Sequence, residues 1–498
     1  MHDCDKTMRN RLNIYHSFLV IGLLMTNISC IDVKKRYHDS KSSMPNIVFF
    51  LVDDLGWTDL GCYGSTFYET PNIDKLSSEG LLFTDAYAAS PVCSPTRASI
   101  LTGKYPCVTG TTNWFGAPQP DNLPSNWNKF LLPAPYVDFL KLEEFTVAEA
   151  LKKCGYSTFI AGKWHLGESE VYWPENQGFD INKGGYSKGR PHKKGGANGY
   201  FSPYGNPRLT DGPVGEYLTE RLTEETLYFI EEHVDTSFFV FFSFYNVHTP
   251  LMAEQERIEY YENKKTNLGL EDKFQDEGGN QVRIEQCDPT YAAMVEAVDL
   301  AVGRILTKLK TLGIDQNTII FFMSDNGGLS TAEGAPTSNS PLRAGKGWLY
   351  EGGIREPLIV KWQGITAPGS KCNTPIISTD FYPTILEMIS QPVSRSQKID
   401  GASLVPLLKG LPIQRGPLFW HYPHYGNQGG SPASAIRDGD WKLVRWYEND
   451  KYELFNLKID IGETKNLVNV NPEKAQELKD KLQEFLDDNS AKYPKKNL

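Results

Sequence analysis

Continuous apolar runs along the chain predict strands that are buried on both faces. Such runs, without polar alternation, are typical of a parallel sheet covered by helices. The runs are NIVFFLV (46–52), STFIAG (157–162), FFVFFSFY (238–245), TIIFFMS (318–324) and EPLIVKW (356–362). Helical patterns lie between them, at FTVAEALKKCG (145–155), GEYLTERLTEETLYFIEEH (215–233) and PTYAAMVEAVDLAVGRILTKLKTLG (289–313). Strands that alternate with helices predict an α/β layered fold.

The pattern changes from about residue 415 onward. Short alternating strands and the final helix PEKAQELKDKLQEFLDD predict a small C-terminal α+β domain over 415–498. The preceding chain is predicted to form a large domain over 44–370 and a connecting segment over 371–414 that closes it. Polar stretches predict surface insertions at 113–138 and 254–288, and a loop over a site at 182–200.

The N-terminus is typical of an export signal, with Lys6, Arg9 and Arg11 before the short apolar run FLVIGLLM. The segment ends in TNISC, and Cys30 resembles the acylation site of a bacterial lipoprotein. We therefore expect residues 1–30 to be a lipoprotein-type signal peptide, with Cys30 as the lipidated first mature residue. An ordinary signal peptide cut near Ser29 is the alternative, and translation could start at Met1 or Met8.

This signal predicts a protein of the periplasm or the outer membrane of a Gram-negative bacterium. The N-terminal lipid would be its membrane contact, since no later segment is long and apolar enough for a transmembrane helix. A net charge of −10 over 498 residues argues against a nucleic-acid partner. Export permits disulfides, but the eight cysteines are scattered and indicate no disulfide framework.

Chemically active residues follow four of the predicted strands. Ligands of open α/β sheets bind outside the carboxyl ends of the strands. The oxygen ligands there, Asp53, Asp54, Asp325 and Asn326, suit Ca²⁺ or Mg²⁺ better than zinc. A cationic set, which would face an oxyanion, comprises Arg97, Lys163, His165, His248 and Lys346.

The stretch PVCSPTRASILTG (91–103) predicts a helix that begins beside a cysteine. Ser94 is the expected cap, Pro95 the first helical residue and Gly103 the stop. A helix N-terminus attracts anions, so Cys93 would lie at an anion site with Arg97 one turn further on.

This stretch resembles the signature of the sulfatase family, in which the cysteine of C-x-P-x-R is oxidised to formylglycine. The resemblance continues through NIVFFLVDDLGW, GKWHLG, YNVHTP, SDNGG and GKGWLYEGGIREP, in the family's order, and spans roughly residues 45 to 365. Thr96 stands where serine is commonest. The resemblance implies a large alkaline-phosphatase-like domain, with a mixed, mostly parallel sheet between helices, and a smaller C-terminal domain.

The resemblance also implies a mechanism for hydrolysis of sulfate esters. A formylglycine-generating maturation enzyme would convert Cys93 to an aldehyde, whose hydrate attacks sulfur with one hydroxyl and expels sulfate with the other. One Ca²⁺ ion would bind Asp53, Asp54, Asp325, Asn326 and the modified Cys93. Arg97 would orient the formylglycine, and Lys163 and Lys346 would hold sulfate oxygens. His248 is the expected general acid and His165 would assist collapse of the intermediate, although the sequence leaves their division of roles open.

The expected substrate is a sulfated polysaccharide or its oligosaccharides, either algal, such as ulvan or carrageenan, or a glycosaminoglycan or mucin. His421 and His424 in WHYPHYGNQGG (420–430), and His192 in the loop at 182–200, are candidate substrate contacts. Two alternatives remain open: a phosphoesterase or phosphonate hydrolase of the same superfamily, and a binding protein that has lost catalysis. The sugar, the sulfate position, exo or endo action and the oligomeric state do not follow from the sequence.

Overall fold

The computed structural model describes residues 44–193, 195–394 and 397–498. The predicted signal peptide, with Cys30, lies outside the described residues. The strands, in chain order, are β1 Asn46–Val52, β2 Leu81–Tyr87, β3 Leu131–Leu132, β4 Ser157–Gly162, β5 Ile181–Lys183, β6 Phe238–Ser243, β7 Phe274–Glu277, β8 Asn280–Arg283, β9 Thr318–Ser324, β10 Arg355–Lys361, β11 Ser370–Cys372, β12 Ile376–Ile377, β13 Leu418–Tyr422, β14 Ala433–Asp438, β15 Trp441–Trp446, β16 Lys451–Asn456 and β17 Lys495–Lys496.

The helices between these strands range in length from a single turn to 23 residues. In chain order they are α1 Pro71–Glu79, α2 Cys93–Thr102, α3 Pro106–Thr109, α4 Val147–Lys153, α5 Leu218–Glu232, α6 Gln255–Asn267, α7 Pro289–Thr311, α8 Glu351–Ile354, α9 Phe381–Met388, α10 Val405–Leu408 and α11 Pro472–Asp488. Within the described residues, no helix combines the length and apolar character needed to cross a membrane.

A mixed sheet with the strand order β11-β2-β10-β9-β1-β6-β4-β5 lies at the centre of the large domain. β9, β1, β6, β4 and β5 pair in parallel, whereas β10 runs antiparallel to both β9 and β2. Phe49 in β1 lies opposite Phe241 and Phe321 on the two neighbouring strands. All seven residues of β1 are buried, as expected for a strand with helices on both faces.

The predicted α/β fold class is confirmed, although the short strands β5, β11 and β12 of the central sheet were missed together with β2, and one apolar run forms an antiparallel strand. The run at 356–362 forms β10, shifted by one residue and antiparallel to β9 and β2. β2, with the sequence LLFTDAY, was not predicted. The run at 238–245 stops being a strand at Ser243, where the chain turns towards the loop that carries His248.

The two predicted insertions have different structures. Residues 254–288 form helix α6 and the hairpin of β7 and β8 on the outside of the sheet. Residues 113–138 are not a purely superficial segment, because Phe115, Ala117 and Tyr136 are buried in the main hydrophobic core. This part of the chain therefore contributes to the interior next to helix α2.

The C-terminal region forms an antiparallel sheet of β13 to β16 with helix α11 against one face. Leu478, Leu482 and Leu486 of α11 are buried there at a four-residue spacing, as expected for an amphipathic helix. The other face contributes Trp420 and Tyr422 to a cluster that includes aromatic residues of the large domain. The predicted domain boundaries at 370 and 414 remain predictions.

A buried ionic network joins this C-terminal sheet to the central sheet. Lys442 of β15 lies 2.9 Å from both Glu351 and Glu463, and all three side chains are inaccessible to solvent. Arg437 of β14 pairs with Asp85 of β2 at 2.6 Å. Each buried charge is thus compensated by an opposite charge from a distant part of the sequence.

Candidate active site

Helix α2 begins earlier than predicted and ends where predicted. It spans Cys93–Thr102 with Val92 as the N-cap, so Ser94 is not the cap and Pro95 is the third helical residue. Proline fits there because the first backbone N–H groups of a helix have no intrahelical partner. Gly103 ends the helix in the left-handed conformation, at φ 70°.

The hydroxyl of Ser94 contacts His165 and Phe115 instead of capping the helix. Its Oγ lies 3.2 Å from His165 Nδ1 and accepts the backbone N–H of Phe115. His165 Nδ1 is also 3.3 Å from Cys93 Sγ, while Nε2 lies 3.1 Å from the Phe115 carbonyl, to which it can only donate. Burial and the nearby Lys163 hold the pKa of His165 well below its usual value. The neutral ring thus directs the lone pair of Nδ1 towards Cys93 and Ser94.

Arg97 connects three strand ends beneath the cysteine. Its Nε donates to Asp325 at 2.7 Å, and its Nη1 donates to Ser243 Oγ at 2.5 Å and to the Lys163 carbonyl at 3.1 Å. Burial disfavours the charge, but the carboxylates of Asp325 and Asp53 raise the pKa of Arg97. The guanidinium therefore fixes the relative positions of β4, β6 and β9.

Two buried lysines pair with the two adjacent aspartates. Lys163 Nζ lies 2.7 Å from Asp53, and Lys346 Nζ lies 2.7 Å from Asp54. Asp54 also accepts the Asn326 amide at 2.7 Å. Burial would raise the pKa of Asp54, but Lys346 and other nearby cations outweigh it and lower that pKa. For Asp53 burial dominates, and its pKa is raised despite Lys163.

The acidic residues fit a divalent cation. Ligand atoms of Asp53, Cys93 and Asp325 lie within 4.8 Å of one another, and all three residues are buried. Asp53 Oδ1 and Asn326 Oδ1 are buried and lack a hydrogen-bond partner in the described part of the chain. Buried acceptor oxygens are normally satisfied, so these two atoms are consistent with metal ligands. The donor set is rich in oxygen, as Ca²⁺ and Mg²⁺ require.

His248 is oriented differently from His165. Its Nδ1 donates to the Thr249 carbonyl at 2.8 Å, and its Nε2 lies 3.7 Å from Asp54 Oδ2. Burial and the charge of Lys346 hold the pKa of His248 well below its usual value. His248 thus presents Nε2 to the site, whereas His165 presents Nδ1. The sequence alone could not distinguish these orientations.

A cavity of about 360 Å³ opens above Cys93. His165, His248 and Lys346 line it together with Cys93, and Trp114 and Phe115 add an aromatic wall. Its volume lies at the lower end of the range for small-molecule sites. The aromatic pair belongs to the segment predicted as a surface insertion, and no sequence signal connected it to the site.

The loop predicted to cover the site does contribute to this cavity. Residues 187–190 and His192 line it. Gly189 lies so close to the His165 ring that a Cβ there would be 2.5 Å from Cε1, a distance that requires one of them to move. Glycine thus permits close contact between this loop and His165.

His421 and His424 do not face the cavity, contrary to the expectation from the sequence. His421 lies in strand β13 with its ring 2.7 Å from Ser434 Oγ and 2.9 Å from the Lys492 carbonyl. His424 is 1% exposed and contacts Thr112 Oγ1 at 2.9 Å. The His424 ring also packs against Tyr136, so it lies between the C-terminal region and the large domain, and neither buried ring lines the cavity.

The same segment reaches the cavity through other residues. Asn427 and Gln428 line it, as does Glu333 from the loop after β9. These three were missed in the sequence. Polar side chains in irregular loops gave no signal of their own, although Gln428 lies only four residues beyond His424.

Family models match most of the described chain. A model described as Sulfatase matches residues 45–390, and one described as N-sulphoglucosamine sulphohydrolase, C-terminal, matches residues 344–492. Together they include every catalytic and metal-binding residue predicted from the sequence.

Individual relatives are similar over nearly the same length. A protein named Sulfatase from Formosa agariphila is 31% identical, over 97% of this chain and 96% of that protein. N-acetylgalactosamine-6-sulfatase of Mus musculus is 32% identical, over 87% of this chain and 78% of that protein. The crystal structure of Ps i-CgsB is 28% identical with a TM-score of 0.71, and covers 89% of this chain and 93% of its own. That protein has also been solved in complex with k-i-k-neocarrahexaose.

Proposed function

Because the chain belongs to the sulfatase family and hydrolyses sulfate esters, we propose that it desulfates a glycan through a formylglycine made from Cys93. The observation that carries this proposal is the position of Cys93. Its thiol lies at the N-terminus of α2 in the floor of the cavity, 3.3 Å from His165 Nδ1. Two buried lysines and a cation-compatible carboxylate cluster surround that floor.

The proposed substrate is a sulfated polysaccharide or its oligosaccharides. One relative is named for N-acetylgalactosamine 6-sulfate, and one similar structure holds a neocarrahexaose. The cavity combines Trp114 with the amides of Asn427 and Gln428, groups that stack on sugar rings and hydrogen-bond to hydroxyls. Sulfated galactosamine and galactan oligosaccharides, from animal and algal sources, are therefore the first substrates to test.

The chain's own residues divide the proton transfers between two sides of the cavity. The formylglycine supplies, as its hydrate, one hydroxyl to attack sulfur and a second to expel sulfate. His165 Nδ1 faces position 93, so we assign His165 to the proton of the second hydroxyl. His248 Nε2 lies beside Asp54 and Lys346, so we assign His248 to the proton that the departing sugar oxygen takes up. The neutral ring carries its own proton on Nδ1, so Nε2 must first take this proton from solvent before passing it to the sugar oxygen.

The charged residues would hold the sulfate group during these steps. Lys163 and Lys346 supply buried positive charge, and Arg97 keeps the strand ends in place beneath Cys93. A Ca²⁺ ion held by Asp53, Asp54, Asp325, Asn326 and the modified Cys93 would supply further positive charge to sulfate oxygens.

Export and lipidation are separate proposals, based on the sequence of residues 1–30. We propose that Cys30 is acylated and anchors the mature protein to a bacterial membrane from the periplasmic side. Labelling cells with a radioactive fatty acid tests this: the parent protein should take up label and Cys30→Ser should not. Label in both proteins, or in neither, would contradict the proposal.

The enzymatic proposal is tested with protein matured by a formylglycine-generating enzyme. Ion chromatography would follow sulfate and phosphate released from a panel of sulfated oligosaccharides and matched phosphate esters, with Cys93→Ala as the control. Sulfate release by the parent alone supports the proposal. Release of phosphate without sulfate would favour a phosphoesterase instead.

A further inference from the structure

A carboxylate without a counter-cation lies in the wall of the cavity. Glu333 forms no ion pair with a lysine, arginine or histidine of the described chain. Its Oε2 accepts the hydroxyl of Thr249 at 2.8 Å, and its Oε1 accepts the side-chain amide of Gln428 at 3.1 Å. Both partners are neutral. A negative charge in this cavity would repel the anion that the cationic floor attracts. The Glu333 carboxylate therefore needs a role other than binding the sulfate group.

The surrounding structure holds this carboxylate in place. The Gln428 carbonyl accepts hydrogen bonds from Thr331 Oγ1 at 2.7 Å and from Trp348 Nε1 at 2.9 Å, so the residue that contacts Glu333 is itself fixed. Glu333 has a φ of 52°, a left-handed conformation that is costly for a residue with a side chain. Strained residues often cluster at functional sites, and this one lines the cavity.

The unused hydrogen-bond acceptor positions of the Glu333 carboxylate indicate which groups it can recognise. An ionised carboxylate has about four lone-pair positions, and two are used by Thr249 and Gln428. The remaining positions can accept hydrogen bonds from hydroxyl groups, which sugars have in abundance. A second sulfate or a carboxylate at the same place would be repelled.

We propose that Glu333 is a specificity-determining residue that accepts hydrogen bonds from hydroxyls of the sulfated sugar. The wall that it forms with Gln428 takes a sugar unit whose ring carries free hydroxyls and no second anionic group on that side. This inference rests on the proposed function, because it concerns the sugar whose sulfate reacts at position 93.

The test compares the parent protein with Glu333→Gln, which keeps the side-chain size and removes the charge. The probes are N-acetylgalactosamine 6-sulfate, which has free hydroxyls, and 4-nitrophenyl sulfate, which has none. Loss of a hydrogen bond to a charged group should lower kcat/KM for the sugar by about 10- to 100-fold. The ratio of the two kcat/KM values, sugar over aryl sulfate, should therefore fall by the same factor, because the aryl sulfate offers no hydroxyl for Glu333 to bind.

Equal losses on both substrates would overturn the inference, because they would mean that Glu333 only positions Thr249 and the adjacent His248. Binding of the same sugar to protein with unoxidised Cys93, followed by titration calorimetry, separates this inference from the proposed function. If the unoxidised parent binds the sugar but the matured parent releases no sulfate from it, the proposed function fails, and weaker binding by Glu333→Gln still supports the role of Glu333. If the parent binds no sulfated sugar of the panel, or if both proteins bind it equally, the inference is wrong.

Discussion

His421 should make the protein sensitive to acid without contributing to catalysis. Its ring is buried in the C-terminal region, where Nε2 donates to the Lys492 carbonyl and Nδ1 accepts the hydroxyl of Ser434. Burial lowers the pKa of His421 from 6.5 to about 4, with Arg445 as a further unfavourable charge. The folded protein therefore keeps this ring neutral over a pH range in which the unfolded chain protonates it.

The sign and size of the effect follow from this difference in pKa. Because the folded state binds fewer protons than the unfolded state, the stabilisation is fully present above pH 6.5 and is lost as the pH falls towards 4. At roughly 1.4 kcal/mol per pH unit, the whole difference corresponds to about 3 kcal/mol, of which about 2 kcal/mol is already lost at pH 5.

The perturbation is His421→Gln, which can still donate to Lys492 and accept from Ser434 but does not titrate. Urea unfolding, followed by tryptophan fluorescence at pH 7.5 and pH 5, gives the free energy of unfolding of each protein. From pH 7.5 to pH 5 the parent should lose about 2 kcal/mol more than the variant.

If the parent and the variant lost the same free energy of unfolding between pH 7.5 and pH 5, the conclusion that His421 is buried in its neutral form would be refuted. Sulfate release at pH 7.5 should be the same in both, because the residue does not line the cavity. A higher KM for glycans in the variant would restore the original expectation that His421 contacts substrate.

Three further predictions concern the ionic network, the cation and the aromatic wall. Lys442→Met should lower the free energy of unfolding by about 3–5 kcal/mol, because it leaves Glu463 buried without a cation and Glu351 with Arg355 alone. Urea unfolding measures this, and a loss no larger than that of the exposed Lys458→Met would contradict it. Chelation should abolish sulfate release, and added Ca²⁺ should restore it. The Tm should rise as the Ca²⁺ concentration rises. Full activity after exhaustive chelation would exclude a metal at Asp53 and Asp325. Trp114→Ala should raise KM for oligosaccharides by about tenfold through lost stacking, and unchanged KM would show that the sugar binds elsewhere.

The sequence predicted the centre of the fold well because the central strands are buried on both faces. The runs that became β1, β4 and β9 match the strands residue for residue. β2 was missed because Thr84 and Asp85 interrupt its apolar run. Asp85 is compensated by Arg355 and Arg437, which come from distant parts of the chain. Such compensation has no local signal.

The site was predictable where strand ends carry it and unpredictable where loops do. Asp53, Lys163 and Asp325 each follow a parallel strand, so their convergence could be expected. Glu333 and Gln428 come from irregular segments whose positions depend on tertiary hydrogen bonds. The histidines of WHYPHYGNQGG do not line the cavity, because His421 belongs to a strand with both faces covered and His424 packs against Thr112 and Tyr136. Composition alone does not show which side chains of a segment face solvent.

If oxidised Cys93 is the nucleophile, activity should depend directly on the extent of its oxidation. Samples with different fractions of formylglycine at position 93, determined by peptide mass, would be assayed for sulfate release from one oligosaccharide. The rate should be proportional to the converted fraction, with no sulfate release at zero conversion. Equal rates in converted and unconverted protein would contradict it.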